Sequence, residues 1–105
     1  MAETPLKAES AVQQTTVTLE TPIRRGNTTV KEVHVRKPVA GAFRGVALVD
    51  VLQMEAQALQ KVLPRITDPA LQEQEIRNLD PADMFQFGEV LAGYVTPKKY
   101  KAAED

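Results

Sequence analysis

Polar and apolar positions alternate along residues 16–37 in a way that predicts a β-hairpin. Val17 and Leu19 are interleaved with Thr16, Thr18 and Glu20, and Val33 and Val35 with Glu32, His34 and Arg36. A period of two with β-branched enrichment marks a half-buried strand. Gly26-Asn27 lies between the two runs and supplies residues that tolerate positive φ in a tight turn. Pro22 cannot donate to a ladder, so the first strand is an edge or is bent there. Val30 has the wrong parity for the Val33/Val35 face, which predicts a bulge or register break. A lone hairpin is marginal in water, so it must pack on something.

Beyond Pro38 the period changes. Val39 to Gly45 reads as one short helical turn closed by Gly45. Residues 46–66 are helical, with Leu48, Val51, Leu52, Leu59, Val62, Leu63 and Ile66 at steps of three and four, apart from a gap of seven across Glu55. The gap suits either one helix with an exposed notch or two helices meeting near Met54-Glu55. Pro64 is expected to end the element near Leu63. Asp68 then reads as an N-cap and Pro69 as the first position of a helix over about 70–79, anchored by Leu71, Ile76 and Leu79. Asp80-Pro81 repeats that grammar, and Asp83 is expected to face the free amides of the same helix, which runs over about 81–95. Met84, Phe87, Leu91, Tyr94 and Val95 share its apolar stripe. Phe85 projects away from that stripe, with Gly88 and Ala92 nearby. Residues 1–15 read as a disordered polar tail and 96–105 as a second polar tail. Strands segregated from three or four helices make the fold class α+β, in one domain over 16–95: a hairpin over 16–37 and a helical part over 39–95.

Composition refines this picture. Apolar residues make up 43% of the 105, but aromatics only 5%, so the core is aliphatic. There are no cysteines, which excludes disulfides, thiolate zinc sites and a Cys nucleophile. No apolar run approaches the roughly 20 residues that span a bilayer, and Met1 to Ser10 lacks the apolar stretch of a signal peptide. The expected location is the cytoplasm, with no membrane partner. Charge is uneven: residues 17–45 carry +4 and residues 46–95 carry −5 within a net charge of −1. A basic front and an acidic body predict self-association or a charged partner.

The candidate chemistry is sparse. His34 is the one histidine and has no partner at a fixed spacing, so it does not read as a general base. Glu73 and Glu75 point in different directions on a helix, and Asp80 and Asp83 are accounted for by capping. No spacing suits a metal or a calcium loop. Gly41 to Gly45 lacks the Lys-Ser/Thr of a phosphate-binding loop. Arg24, Arg25, Lys31, Arg36, Lys37 and Arg44 could meet phosphates, but Phe43 is the one aromatic there and no recognition motif is present. The expectation is a non-enzymatic protein binder with no catalytic residues, no metal, no cofactor and no nucleic-acid partner.

An ordered set of short motifs narrows that class. Val35-Arg36-Lys37-Pro38, Ala40-Gly41-Ala42-Phe43-Arg44-Gly45, Leu48-Val49-Asp50-Val51-Leu52-Gln53-Met54, Ala58-Leu59, Val62-Leu63-Pro64-Arg65-Ile66-Thr67 and Leu79-Asp80-Pro81-Ala82-Asp83 together resemble the tail assembly chaperones of Mu-like contractile-tailed phages and prophages. The resemblance covers about residues 29–95; Met84-Phe85-Gln86-Phe87 is more aromatic than the family pattern. It implies a transient assembly factor in the host bacterial cytoplasm, absent from the mature virion. Such a factor binds the tape measure protein, keeps it soluble and helps recruit tail tube subunits. It also implies a longer form made by translational frameshift. The residues expected to meet a partner are Met84, Phe85, Phe87, Leu91, Leu52 and Leu59. Arg24, Arg25, Arg36, Lys37 and Arg44 form the expected charged surface for a homo-oligomer. Two other classes stay open at this point: a structural tail component retained in the virion, and a small nucleic-acid-binding regulator.

Overall fold

The computed structural model describes residues 13–100 of the chain. The expected disorder of residues 1–12 and the end of the C-terminal tail, 101–105, lie outside the described residues. Strands β1 (Gln14–Arg25) and β2 (Thr28–Arg36) form the antiparallel hairpin, joined through Gly26-Asn27, where Gly26 takes the positive φ of 59°. Gln14 and Thr15, read as part of the N-terminal tail, belong to β1 because they pair with Arg36 and Val35. A third, two-residue strand β3 (Thr67–Asp68) adds to the other edge of β2, pairing Val35 with Thr67 and His34 with Asp68. Among the described residues four α-helices follow the hairpin: α1 (Leu48–Leu52), α2 (Ala56–Ile66), α3 (Glu73–Arg77) and α4 (Pro81–Val95). A short 3-10 turn, Ala40–Phe43, precedes α1 and another, Lys98–Tyr100, follows α4. The architecture is α+β, with the sheet on one side of an aliphatic core and the helices on the other.

The register break foreseen from Val30 lies on β1. Thr18 pairs with Glu32 and Ile23 with Val30, so Leu19 to Pro22 bulge opposite a single residue of β2. Pro22 falls inside the bulge, where no ladder bond is required of it. The amides of Glu20 and Thr21 are freed by the bulge, and both donate to the fully buried carboxylate of Asp83, at 2.8 and 3.0 Å. This corrects the assignment of Asp83 to its own helix terminus. Asp80 alone caps α4, accepting from the Ala82 amide at 2.8 Å with Pro81 at the first position. Gln86 adds a bond from Nε2 to the Thr18 carbonyl at 3.1 Å, and the Tyr94 hydroxyl bonds to Thr15 Oγ1 at 2.8 Å. One face of α4 thereby covers the outer edge of β1. A covered edge cannot pair with a foreign strand.

The helical half settles one open alternative and departs from expectation in two places. The gap across Glu55 is a true break: Met54 adopts φ of 57°, and α1 and α2 are separate helices. Pro64 does not end α2, which continues to Ile66. Burial of Leu63 and Ile66 holds the last turn on the core, and Thr67 Oγ1 donates back to the Leu63 carbonyl at 2.7 Å. Asp68 is not an N-cap, because its backbone is committed to the sheet beside His34; the Asp68-Pro69 bond is cis. Helix α3 therefore starts later, after Gln72, whose amide donates to Glu75 Oε1 at 3.0 Å. The core is aliphatic as composition requires: Val17, Val33, Val35, Val51, Leu59, Val62, Leu63, Leu71, Ile76 and Leu91, with Phe87 as the one fully buried aromatic among the described residues.

Candidate functional site

A five-residue helix is too short to hold itself together. α1 persists because Val51 is fully buried and because α1 packs on α4. The contact is close at Gly88: a β-carbon there would lie 2.8 Å from Met54 Cγ and Sδ, so the absent side chain is the space Met54 fills. At 100° per residue Leu48, Val49 and Leu52 span about 100° of α1, with Val51 about 60° beyond Leu48. They are 50%, 54% and 48% exposed. Phe85, 53% exposed, lies about 60° around α4 from Gly88, hence beside the α1 contact. Val39, just before the 3-10 turn, is 75% exposed. Leu48, Val49 and Leu52 thus leave one side of α1 in water, with Phe85 exposed beside the α1 contact. Exposed single apolar residues are ordinary, but a grouped set marks an interaction surface.

The residues proposed from sequence to meet a partner divide by burial. Phe85 and Leu52 are exposed, and Met84 is half-buried against the core. Phe87, Leu91 and Leu59 are fully buried and build the core. In this fold they are covered by the chain itself. Leu48 and Val49 are exposed beside Leu52 on α1 instead. Periodicity placed Leu48 with the core because it follows the same three-four steps as Val51. The break at Met54 is what turns the first helix so that only Val51 faces inward.

The basic residues divide too. Arg25 is held within the chain: its Nε and Nη2 donate to the two Glu75 oxygens, both at 2.7 Å, and Nη2 also donates to the Ala70 carbonyl at 2.7 Å. Hydrogen bonding to Arg25 lowers the pKa of Glu75, and the same bond raises that of Arg25. This pair and the bond from Thr21 Oγ1 to Asp80 at 2.7 Å span a groove of about 650 Å³ between the hairpin tip and α3. The Thr21 bond is also the main reason the Asp80 pKa is lowered. Arg24 lines this groove and is exposed. Elsewhere Arg36 and the Arg44 carbonyl meet Arg65, which the sequence pattern does not single out, and Lys37 is exposed just past β2. Arg36 Nη2 donates to the Arg65 carbonyl at 2.9 Å, and Arg65 Nη1 donates to the Ala42 and Arg44 carbonyls at 2.7 and 3.0 Å. Among the described residues none of these four has a carboxylate partner. His34 is half-buried and its Nδ1 bonds to Thr16 Oγ1 at 2.8 Å, across the hairpin.

Comparison with known proteins agrees with the motif set. The family model for phage tail assembly chaperone proteins, E, or 41 or 14, matches residues 16–95. Tail assembly protein E of Escherichia phage P2 is 39% identical over 85 residues, which cover 81% of this chain and 93% of that protein. Tail assembly protein E' of the same phage is 39% identical over 83 residues, covering 79% of this chain but 58% of that longer protein. No solved structure matches the chain significantly. With the match spanning both the hairpin and all four described α-helices, the chain belongs to the phage tail assembly chaperone family.

Proposed function

We propose that this protein is a non-enzymatic, transient chaperone that binds the tape measure protein in the host cytoplasm, keeps it soluble and assists tail tube assembly. The observation that carries the reading is the exposed apolar set of Leu48, Val49 and Leu52 on α1 and Phe85 on α4, two helices that pack together. A holdase needs apolar contact area with reversible affinity and no reacting group. A helix presenting apolar residues at three-four spacing can lie along such a surface. Family membership supports a role in tail assembly and tail proteins as partners. The longer E' relative supports a second, extended product that carries this same fold.

Co-expression with the tape measure protein tests the reading. The expected result is co-purification and a larger soluble fraction of the client. Neither effect with the intact chain, or both effects undiminished with Phe85→Asp and Leu52→Asp together, sinks it. Mass spectrometry of purified virions gives a second reading: a transient factor is missing, and a retained tail component is present in stoichiometric amount.

A further inference from the structure

α4 bonds to β1 at Thr15, Thr18, Glu20 and Thr21, and there its cover of the strand stops. Beyond Thr21 the groove of about 650 Å³ opens between the hairpin tip and α3, and every residue from 21 to 26 lines it. Side chains of a strand alternate between its two faces, so a cavity on one face meets every second residue. An unbroken run of lining residues places the strand edge itself on the groove. β1 is the end strand of the sheet, so among the described residues no strand pairs with that edge. Gly26-Asn27 is a two-residue turn with its positive φ at the first position, which makes Arg25–Thr28 a hydrogen-bonded pair. Pairs alternate in an antiparallel ladder, so the next one, Arg24–Thr29, is not hydrogen-bonded. The N–H and C=O of Arg24 therefore point out of the ladder, on the side of the groove.

The charges of the lining are matched except for one. Arg25 is paired with Glu75, while Asp80 caps α4 and accepts from Thr21. Arg24 is the cation left over, and it is exposed. On the facing wall Gln74 and Asn78 stand four residues apart and are exposed as well. Among the described residues neither their side-chain amides nor the Arg24 guanidinium makes a hydrogen bond or ion pair. We propose that this groove takes an extended polypeptide segment of a partner protein, which adds to the edge of β1 as a further strand and sets a carboxylate side chain on Arg24. A strand edge is satisfied by the main chain of another strand. Gln74 and Asn78 each carry a donor and an acceptor, spaced by about 6 Å along a helix. The main-chain groups on one edge of a strand repeat at about 6.8 Å, so the two amides meet the outer edge of the same segment. A nucleic acid fits poorly, because its phosphates would meet Glu75 and Asp80 as well as the arginines.

NMR titration of the full chain with a capped peptide, Thr-Val-Thr-Glu-Thr-Val-Thr, tests the proposal. The expected result is saturable amide shifts confined to residues 21–26 and 72–80, with slower exchange of the Arg24 amide. Two control peptides are expected to bind about tenfold more weakly or worse: one with Lys in place of Glu, and one N-methylated at Glu and both its neighbours. Arg24→Glu is an exposed change, and the spectrum itself shows that the variant is folded. It is expected to lose the Glu peptide and gain the Lys peptide. No saturable shift at millimolar peptide overturns the proposal, as do shifts centred outside the groove. Equal binding of the N-methylated peptide overturns strand addition, and indifference to the charge swap overturns the role of Arg24. The groove shares no residue with the exposed set on α1 and α4, so each of these failures leaves the proposed function standing.

Discussion

Asp83 joins the two halves of the fold through a single side chain. Its carboxylate is fully buried and accepts from the Glu20 and Thr21 amides and from Gln86 Nε2, at 2.8, 3.0 and 3.0 Å. Asp83→Ala leaves two backbone donors in the bulge without an acceptor. Each such group costs about 1–3 kcal/mol when it stays buried, so the expected loss is about 4 kcal/mol. Asp83→Asn keeps the shape and one acceptor oxygen but turns an NH2 toward the second amide, and about half that loss is expected. Against a typical total of about 5–15 kcal/mol for a domain, the Ala variant is close to unfolding and the Asn variant is measurable. Urea unfolding of the full chain gives both values, with an unchanged slope showing that the denatured state is unaltered. Amide exchange gives the local signature: Glu20 and Thr21 exchange faster in the Asn variant, while Val33 and Val35 change only as much as global stability does. A loss below about 1 kcal/mol for Asp83→Ala would mean that the bulge amides find other acceptors and that Asp83 is not the joint.

Phe87→Ala removes the one fully buried aromatic among the described residues and is expected to cost about 3–5 kcal/mol, whereas Phe85→Asp stays within about 0.5 kcal/mol of wild type; thermal melts separate them. Gly88→Val drives a side chain into Met54 and is expected to cost about 1–3 kcal/mol, with faster amide exchange in α1 as the readout. Glu75 has its pKa lowered in the fold, chiefly by Arg25, so its contribution is complete above the ordinary carboxylate range and is lost as pH falls through the lowered value. Glu75→Gln is therefore expected to flatten the acid side of the stability–pH curve. Its cost at neutral pH is about 0.5–1 kcal/mol, since the pair is partly exposed to solvent; an unchanged acid limb counts against the ion pair.

Much of the fold is local chemistry and was legible from the chain. Alternation set the hairpin, Gly26 set its turn, the parity of Val30 announced the bulge, and Asp80-Pro81 fixed the start of the last helix. These signals act over a few residues, where sterics and hydrogen bonding leave few options. The motif set from Val35 to Asp83 carried the family, because its order and spacing are properties of the sequence itself.

The tertiary structure decided what each of those residues touches. The partners of Asp83 lie 62 and 63 residues away, and nothing near Asp83 in the chain competes with capping as an explanation. β3 carries no pattern in two residues and exists only because β2 offers an edge. Periodicity does not tell the buried Leu59, Phe87 and Leu91 from the exposed Leu48, since it reports that a face is apolar and not what covers it. Burial depends on how helices pack. Met54 breaks the helix and fills the space at Gly88, and in that packing Leu48, Val49, Leu52 and Phe85 stay in water.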